Sequence, residues 1–258
     1  MSIYKMNIPT QKIMETTANT ILGGKVEILQ PTEGYRASID PIFLAASVQT
    51  DSTETVLDMG TGVGTAMLAL AHRVKDVRIT GLEFQRELVR LTGQNIKLNG
   101  FHDRLEVIHG DLLTPPPRLA ASSFSQVIAN PPYFESNASV SSPRDNKALS
   151  NHDQGISLEK WVTFAHRMVK PKGFVTFVFT ADRLDDLLAA FYGRFGDITL
   201  FPLWPKDGRK AKRLIVRGRK NVKSPSKILN GLIVHQEDGS YTEKANRILN
   251  GLAGLNLD

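Results

Sequence analysis

The chain has 258 residues, 41% of them hydrophobic and 22% charged, with a formal net charge of +6. That length and balance suit one large α/β domain and leave little room for a second. No stretch approaches 18 apolar residues, which argues against a membrane-spanning helix, and the absence of cysteine excludes disulfides, thiolate nucleophiles and thiolate metal sites.

Residues 1–20 scatter Lys5, Gln11, Lys12 and Glu15 among their apolar positions, unlike a secretory leader, so a cytoplasmic protein is expected. Residues 25–30 and 35–39 flank Pro31-Thr32-Glu33-Gly34 and read as a small hairpin. Asp40-Pro41 then reads as an N-cap followed by proline at the first helical position, opening a helix from Ile42 to Val48. A polar break at Thr50 to Thr53 divides an N-terminal extension, residues 1–50, from the main domain, residues 51–258.

From there the pattern alternates. Strands are expected at 55–59, 77–82, 104–108, 124–129 and 173–179, and helices near 64–74, 85–98, 157–169 and 183–192, with Gly100 ending the second helix. Such alternation argues for a mostly parallel sheet with helices on both faces. Ile198 to Leu203 and Arg213 to Arg217 lack a long helix between them and are expected to close the sheet as a hairpin. The six histidines show no metal-ligand spacing, and no metal is expected. Nothing in the sequence speaks to the oligomeric state.

Val56-Leu57-Asp58-Met59-Gly60-Thr61-Gly62-Val63-Gly64 runs from strand into helix, where glycines let backbone approach a ligand and helix-end amides face it. A pyrophosphate fingerprint has the spacing G-x-G-x-x-G, whereas these glycines recur at every second position and Asp58 would oppose phosphate while favouring an ammonium group. Glu83, at the end of the next strand, is placed to accept ribose hydroxyls, and Asp111, after the third, to reach an adenine amine. Any one of these acids alone could simply cap a helix or solvate a loop. Together they ask for a ligand with an amino acid end, a ribose and an adenine but no phosphate, which is S-adenosylmethionine.

Asn130-Pro131-Pro132-Tyr133 follows the apolar run Phe124 to Ala129. The Asn130 side-chain carbonyl and the Pro131 backbone carbonyl can converge on a planar amine and accept its hydrogens, as methylation of a weakly nucleophilic conjugated nitrogen requires. Tyr133 offers a flat face for stacking. Residues 134–155 are polar and serine-rich without periodicity, and their position suggests a lid over the site.

Lys206 to Lys223 holds nine Lys or Arg against one Asp, a local net of +8 that leaves the remainder of the chain at −2. This run (Lys206, Arg209, Lys210, Lys212, Arg213, Arg217, Arg219, Lys220, Lys223) is the natural phosphate tracker, with Arg36 as a further contact. A solvated edge that only aids solubility is the alternative.

Asp58-x-Gly60-x-Gly62-x-Gly64, Glu83, Asp111 and Asn130-Pro131-Pro132-Tyr133, in that order, resemble the class I S-adenosylmethionine-dependent methyltransferases that act on amino groups. Leu22-Gly23-Gly24, Gln30-Pro31, Gly34-Tyr35-Arg36-Ala37-Ser38-Ile39-Asp40 and Arg217-Gly218-Arg219-Lys220 are similar to the bacterial tRNA(Val) adenine-N(6)-methyltransferase group. The resemblance implies a Rossmann-like, mostly parallel seven-stranded sheet with a small N-terminal hairpin. It implies cofactor contacts at Asp58, Gly60, Thr61, Gly62, Gly64, Glu83, Asp111 and Asn130, and a tRNA substrate bound without a separate RNA-binding domain. Three alternatives stay open: a glutamine side chain in a protein, the guanine amine in ribosomal RNA, and a non-catalytic RNA-binding module that keeps a cofactor fold. Glutamine enzymes of this type usually carry a helical domain ahead of the glycine loop, whereas only about 55 residues precede it here.

Overall fold

The structure, a computed structural model, describes residues 14–33, 37–50, 54–132 and 156–258. Arg36, Tyr133 and the segment 134–155 lie outside the described residues.

The chain begins with an antiparallel hairpin of β1 (Thr16–Ile21) and β2 (Val26–Pro31). This corrects the expected hairpin: residues 26–31 pair backwards with 16–21, residues 37–39 form no strand, and residues 34–36 lie outside the described residues. The reason is local. Leu22, Gly23 and Gly24 all take positive φ (54°, 66° and 89°), a turn that the two glycines permit without a Cβ penalty. Ala37 to Ile39 lead instead into α1 (Asp40–Ser47). Its N-cap is Ile39, one residue earlier than expected, so Asp40 occupies the first turn. The Asp40 carboxylate accepts from Arg213 Nε at 2.9 Å.

The main sheet is built from β3 (Thr55–Met59), β4 (Arg78–Glu83), β5 (Leu105–His109), β6 (Phe124–Ala129), β7 (Val169–Thr180), β8 (Phe195–Trp204) and β9 (Arg213–Lys220). Their spatial order is β5-β4-β3-β6-β7-β9-β8, all parallel except at β9, which runs antiparallel to both β7 and β8. Two further strands, β10 (Lys227–Ile228) and β11 (Leu232–Ile233), pair with β8, so among the described residues the sheet has nine strands and not seven. At two residues each, they are too short to display an alternating pattern in sequence. The helices are α2 (Thr65–Arg73), α3 (Arg86–Leu98), α4 (Leu158–Met168), α5 (Leu184–Phe191) and α6 (Glu243–Leu249).

Alternation along the strands sorts the core into two layers. Leu57, Met59, Val127, Ala129, Val175 and Phe177 pack with Trp161, Phe164 and Ala165 of α4. Val56, Ile79, Ile128 and Val178 pack with Phe43 and Leu44 of α1 and Met67 and Leu68 of α2. Each such fully buried side chain contributes about 1.5–3 kcal/mol relative to exposure. Because α1 shares this core with α2, the helix is packed into the same layer as the rest of the sheet's helices on that face.

The hairpin is held differently. On α3, Asn95 and Asn99 stand one turn apart and mimic a neighbouring strand to β2: Asn95 Oδ1 accepts from the Leu29 amide at 2.7 Å and Asn99 Oδ1 from the Glu27 amide at 2.9 Å. Their amide groups donate back to the Leu29 and Glu27 carbonyls at 3.0 and 2.7 Å.

Candidate active site

Register alone assembles the site. Met59 lies opposite Leu82 on one side and Ala129 on the other, so Gly60, Glu83 and Asn130 emerge together at the carboxyl edge of three adjacent strands. Glu83 pairs with His109, which brings Asp111 to the same edge two residues beyond β5. The strand order reverses at β3, with β4 on one side and β6 on the other, and open parallel sheets bind their ligands at such a switch point.

The glycine loop is tied from below and open above. The Gly60 and Thr61 amides both donate to the Leu82 carbonyl, at 2.8 and 3.1 Å, and the Gly62 amide donates to Glu83 Oε2 at 3.0 Å. Gly60 itself is the exposed crest. A Cβ there would lie 2.6 Å from Trp161 Cη2, and φ is +65°, so glycine is demanded twice over. Gly64 caps α2 in the left-handed region and supplies no side-chain acceptor. Asp58 replaces that acceptor from the strand: its carboxyl group accepts hydrogen bonds from the Thr61 hydroxyl at 2.6 Å and from the backbone amide of Met67, in the first turn of α2. Asp58 is 2% exposed, and burial, aided by the nearby Glu83 charge, pushes its pKa up to about 7 against the opposing pull of the Thr61 and Met67 hydrogen bonds.

Glu83 is also buried, with Oε1 accepting from the Gln85 amide at 2.8 Å. Asp111 is half-buried, and its Oδ1 accepts from the Leu113 amide at 2.8 Å. Asn130 is half-buried, Pro131 buried and Pro132 exposed, in the order expected where a chain leaves a sheet at its rim.

Sequence reasoning missed residues behind the loop. Thr92 Oγ1 donates to the Gly62 carbonyl at 2.6 Å and Asn95 Nδ2 to the Val63 carbonyl at 2.9 Å, so α3 grips two consecutive loop carbonyls. Phe84, directly after Glu83, is 39% exposed with its ring centroid 6.5 Å from that of His109. A large aromatic following a strand-end acid is a signal that could have been read.

The basic run divides. Residues 205–212 form the loop between β8 and β9, with Arg209, Lys210 and Lys212 exposed. Arg213 lies opposite Thr180 of β7, and Ala129 lies opposite Phe177 of the same strand, so this loop shares the edge that carries Asn130. Arg213 is two strands away from β6, about 10 Å across the sheet. Strand β9 then runs away from this edge for seven residues, about 23 Å, to Lys220. Two members of the expected RNA surface are corrected here. Arg217 is buried, donating to the Leu257 carbonyl and to Asp258 at 2.7 and 2.8 Å. The Lys220 ammonium is buried too, donating to Ser122 Oγ and the His166 and Val169 carbonyls. Arg219 packs over Phe174 and faces Asp197 at 3.7 Å, at the far edge. Charge in these three positions is spent within the fold.

Among the described residues no cluster of His, Asp or Glu is arranged to hold a metal ion, and no helix is long and apolar enough to cross a membrane.

Residues 39–144 match the family described as methyltransferase small domain. A predicted O-methyltransferase from Agrobacterium tumefaciens superposes with a TM-score of 0.71 over 84% of this chain and 98% of that one, at 24% identity. The chain has a methyltransferase fold. TYW2 from P. horikoshii, solved in complex with MeSAdo, shares the fold at a TM-score of 0.55 and 13% identity, covering 79% of this chain and 70% of that chain. In sequence, the chain resembles the tRNA1(Val) (adenine(37)-N6)-methyltransferase of Porphyromonas gingivalis, 27% identical over 83% of this chain and 86% of the relative. Within this methyltransferase fold, the glycine loop, Glu83 and Asn130 occupy the edge that the strand order marks for ligands.

Proposed function

We infer that the protein transfers a methyl group from S-adenosylmethionine to the exocyclic amine of an adenine in tRNA, with position 37 of tRNA(Val) as the first candidate. One observation carries the reading: the exposed glycine crest, Glu83 and Asn130-Pro131 stand side by side at the switch point, with the basic β8–β9 loop on the same edge. The names of the similar proteins support adenine in tRNA over glutamine or guanine.

The residues present fit the cofactor. Gly60 admits close backbone approach, Glu83 suits a ribose diol, Asp111 an adenine amine, and Phe84 a flat ring; an ammonium group above the loop would favour the charged form of Asp58 beneath it. S-adenosylmethionine supplies an electrophilic methyl on a positively charged sulfur. The chain's own residues prepare the nucleophile. The target base must leave its stack to enter, which costs least in a single-stranded loop. Its amine then donates to the Asn130 side-chain carbonyl and the Pro131 carbonyl, with Tyr133 as the proposed stacking face. These two acceptors favour a pyramidal nitrogen and stabilise the positive charge that develops on it. Holding it in line provides the remaining advantage, and no general base is needed before attack, because the proton can leave afterwards to water. A tRNA substrate sets the reaction in the cytoplasm.

The test is nucleoside mass spectrometry of tRNA from a strain lacking the gene. Loss of N6-methyladenosine, restored by the wild-type gene and not by Asn130→Ala, is expected. An unchanged nucleoside profile, together with no labelled methyl transfer to that tRNA by purified protein, would overturn the reading.

A further inference from the structure

Beside the basic loop the surface is hollowed into a cleft of about 110 Å³, well beyond the roughly 10–15 Å³ that one ordered water needs. Its floor is apolar: Phe43 of α1, Leu203 of β8 and Val234, all buried members of one core cluster. Its rim is polar, with Lys212, His235 and the Asp40–Arg213 ion pair. The wall is rigid, because the Val234 and His235 amides donate to the Trp204 and Pro205 carbonyls at 2.8 and 3.1 Å, continuing the sheet past β11. One face of the His235 ring is stacked on Tyr241, with centroids 4.9 Å apart and planes within 26°.

We propose that this cleft receives a nucleobase of the substrate RNA adjacent in sequence to the methylated adenine, with Lys212 on its phosphate and His235 against its ring. The inference rests on the RNA-methylation reading and extends it to a second nucleotide. Three observations favour a base as the occupant. The cleft opens on the edge that carries Asn130: Arg213 at its near rim is two strands, about 10 Å, from β6, and Leu203 on its floor is one strand, about 5 Å, further. Lys212 and Arg213 line it, exposed Arg209 and Lys210 belong to the same loop, and the one acid in its lining, Asp40, is paired with Arg213. A stacked aromatic pair beside a cationic loop is the combination that single-stranded nucleic acid uses, through π faces and phosphates together. An extruded target base leaves its neighbours unstacked, and an apolar floor beside a ring gives one of them a new stacking surface.

Methyl transfer to tRNA hairpins bearing an abasic site on either side of the target adenine tests this, using wild-type protein, Val234→Phe to fill the cleft and His235→Ala to remove its ring. With wild-type protein, one of the two abasic RNAs should raise KM about tenfold, in line with the 1–3 kcal/mol that stacking one base is worth. Each variant should raise KM for intact RNA by a similar factor with a smaller change in kcat. Neither should worsen KM further for that abasic RNA. Wild-type KM indifferent to both abasic sites overturns the inference even if a variant fails to fold. So does a variant whose effect multiplies with the abasic effect at both positions, which would assign the cleft to something other than RNA. Absence of methyl transfer to every RNA, including the intact hairpin, would instead overturn the underlying reading.

Discussion

Lys210 and Lys220 belong to one basic run, yet one stands exposed in a loop beside the site and the other is buried among three oxygen acceptors at the opposite end of a strand. The glycine loop shows the reverse economy. There, residues that shape the fold also shape the candidate site: Asp58 caps α2 and lies beneath the glycine loop, while Glu83 holds the Gly62 amide at the same edge. A local charge count therefore says little about which cations meet a polyanion. The direction of the strand that carries them says more.

Four perturbations sharpen that contrast. The largest effect belongs to Asn130→Ala, expected to lower single-turnover methyl transfer roughly 100- to 1000-fold, the range for losing one transition-state hydrogen-bond partner. Its cofactor affinity by calorimetry should stay within a few-fold of wild type, and a normal single-turnover rate would end the assignment. Next is Lys220→Met. It strips the donor from the His166 and Val169 carbonyls and Ser122, and should cost at least about 2 kcal/mol of stability in urea melts, with the salt dependence of RNA binding untouched. A changed salt slope would return Lys220 to the RNA surface.

Replacing Arg209, Lys210 and Lys212 together with alanine should do the opposite: no loss of stability, weaker tRNA binding, and a salt slope shallower by about 2, since each neutralised phosphate contributes about 0.7–0.9. A slope equal to that of wild type would remove the loop from the interface. The last effect concerns pH. Asp58 is raised from an ordinary carboxylate to about 7, so the folded state holds its proton more tightly than the unfolded chain does. Its contribution to stability is full below about pH 4 and fades as pH rises through 7. Asp58→Asn should flatten that part of the stability profile of the ligand-free protein, as read by thermal melts across pH 4 to 8.

Much was legible in the sequence. Strand β6 ends at Ala129 as its apolar run predicted, and the acids and glycines appear at the strand ends that their spacing implied. The first hairpin misled because Pro31-Thr32-Glu33-Gly34 carries a strong turn signal, while the turn actually used, Leu22-Gly23-Gly24, lies on the other side of the same strand. Asp40 misled for a similar reason: a capping residue before proline proved to be the partner of Arg213, 173 positions away.

Local chemistry, then, was determined by the sequence alone: periodicity chose strands and helices, and glycine spacing chose a loop able to lie close to a ligand. Only the tertiary structure decided which partner each strand takes and which charges remain for a substrate. Periodicity reports the face a side chain presents to the core, whereas strand order and direction come from pairing between distant segments. Reversal of β9 separates Lys212 from Lys220 by the length of the sheet, and no count of neighbouring residues contains that distance.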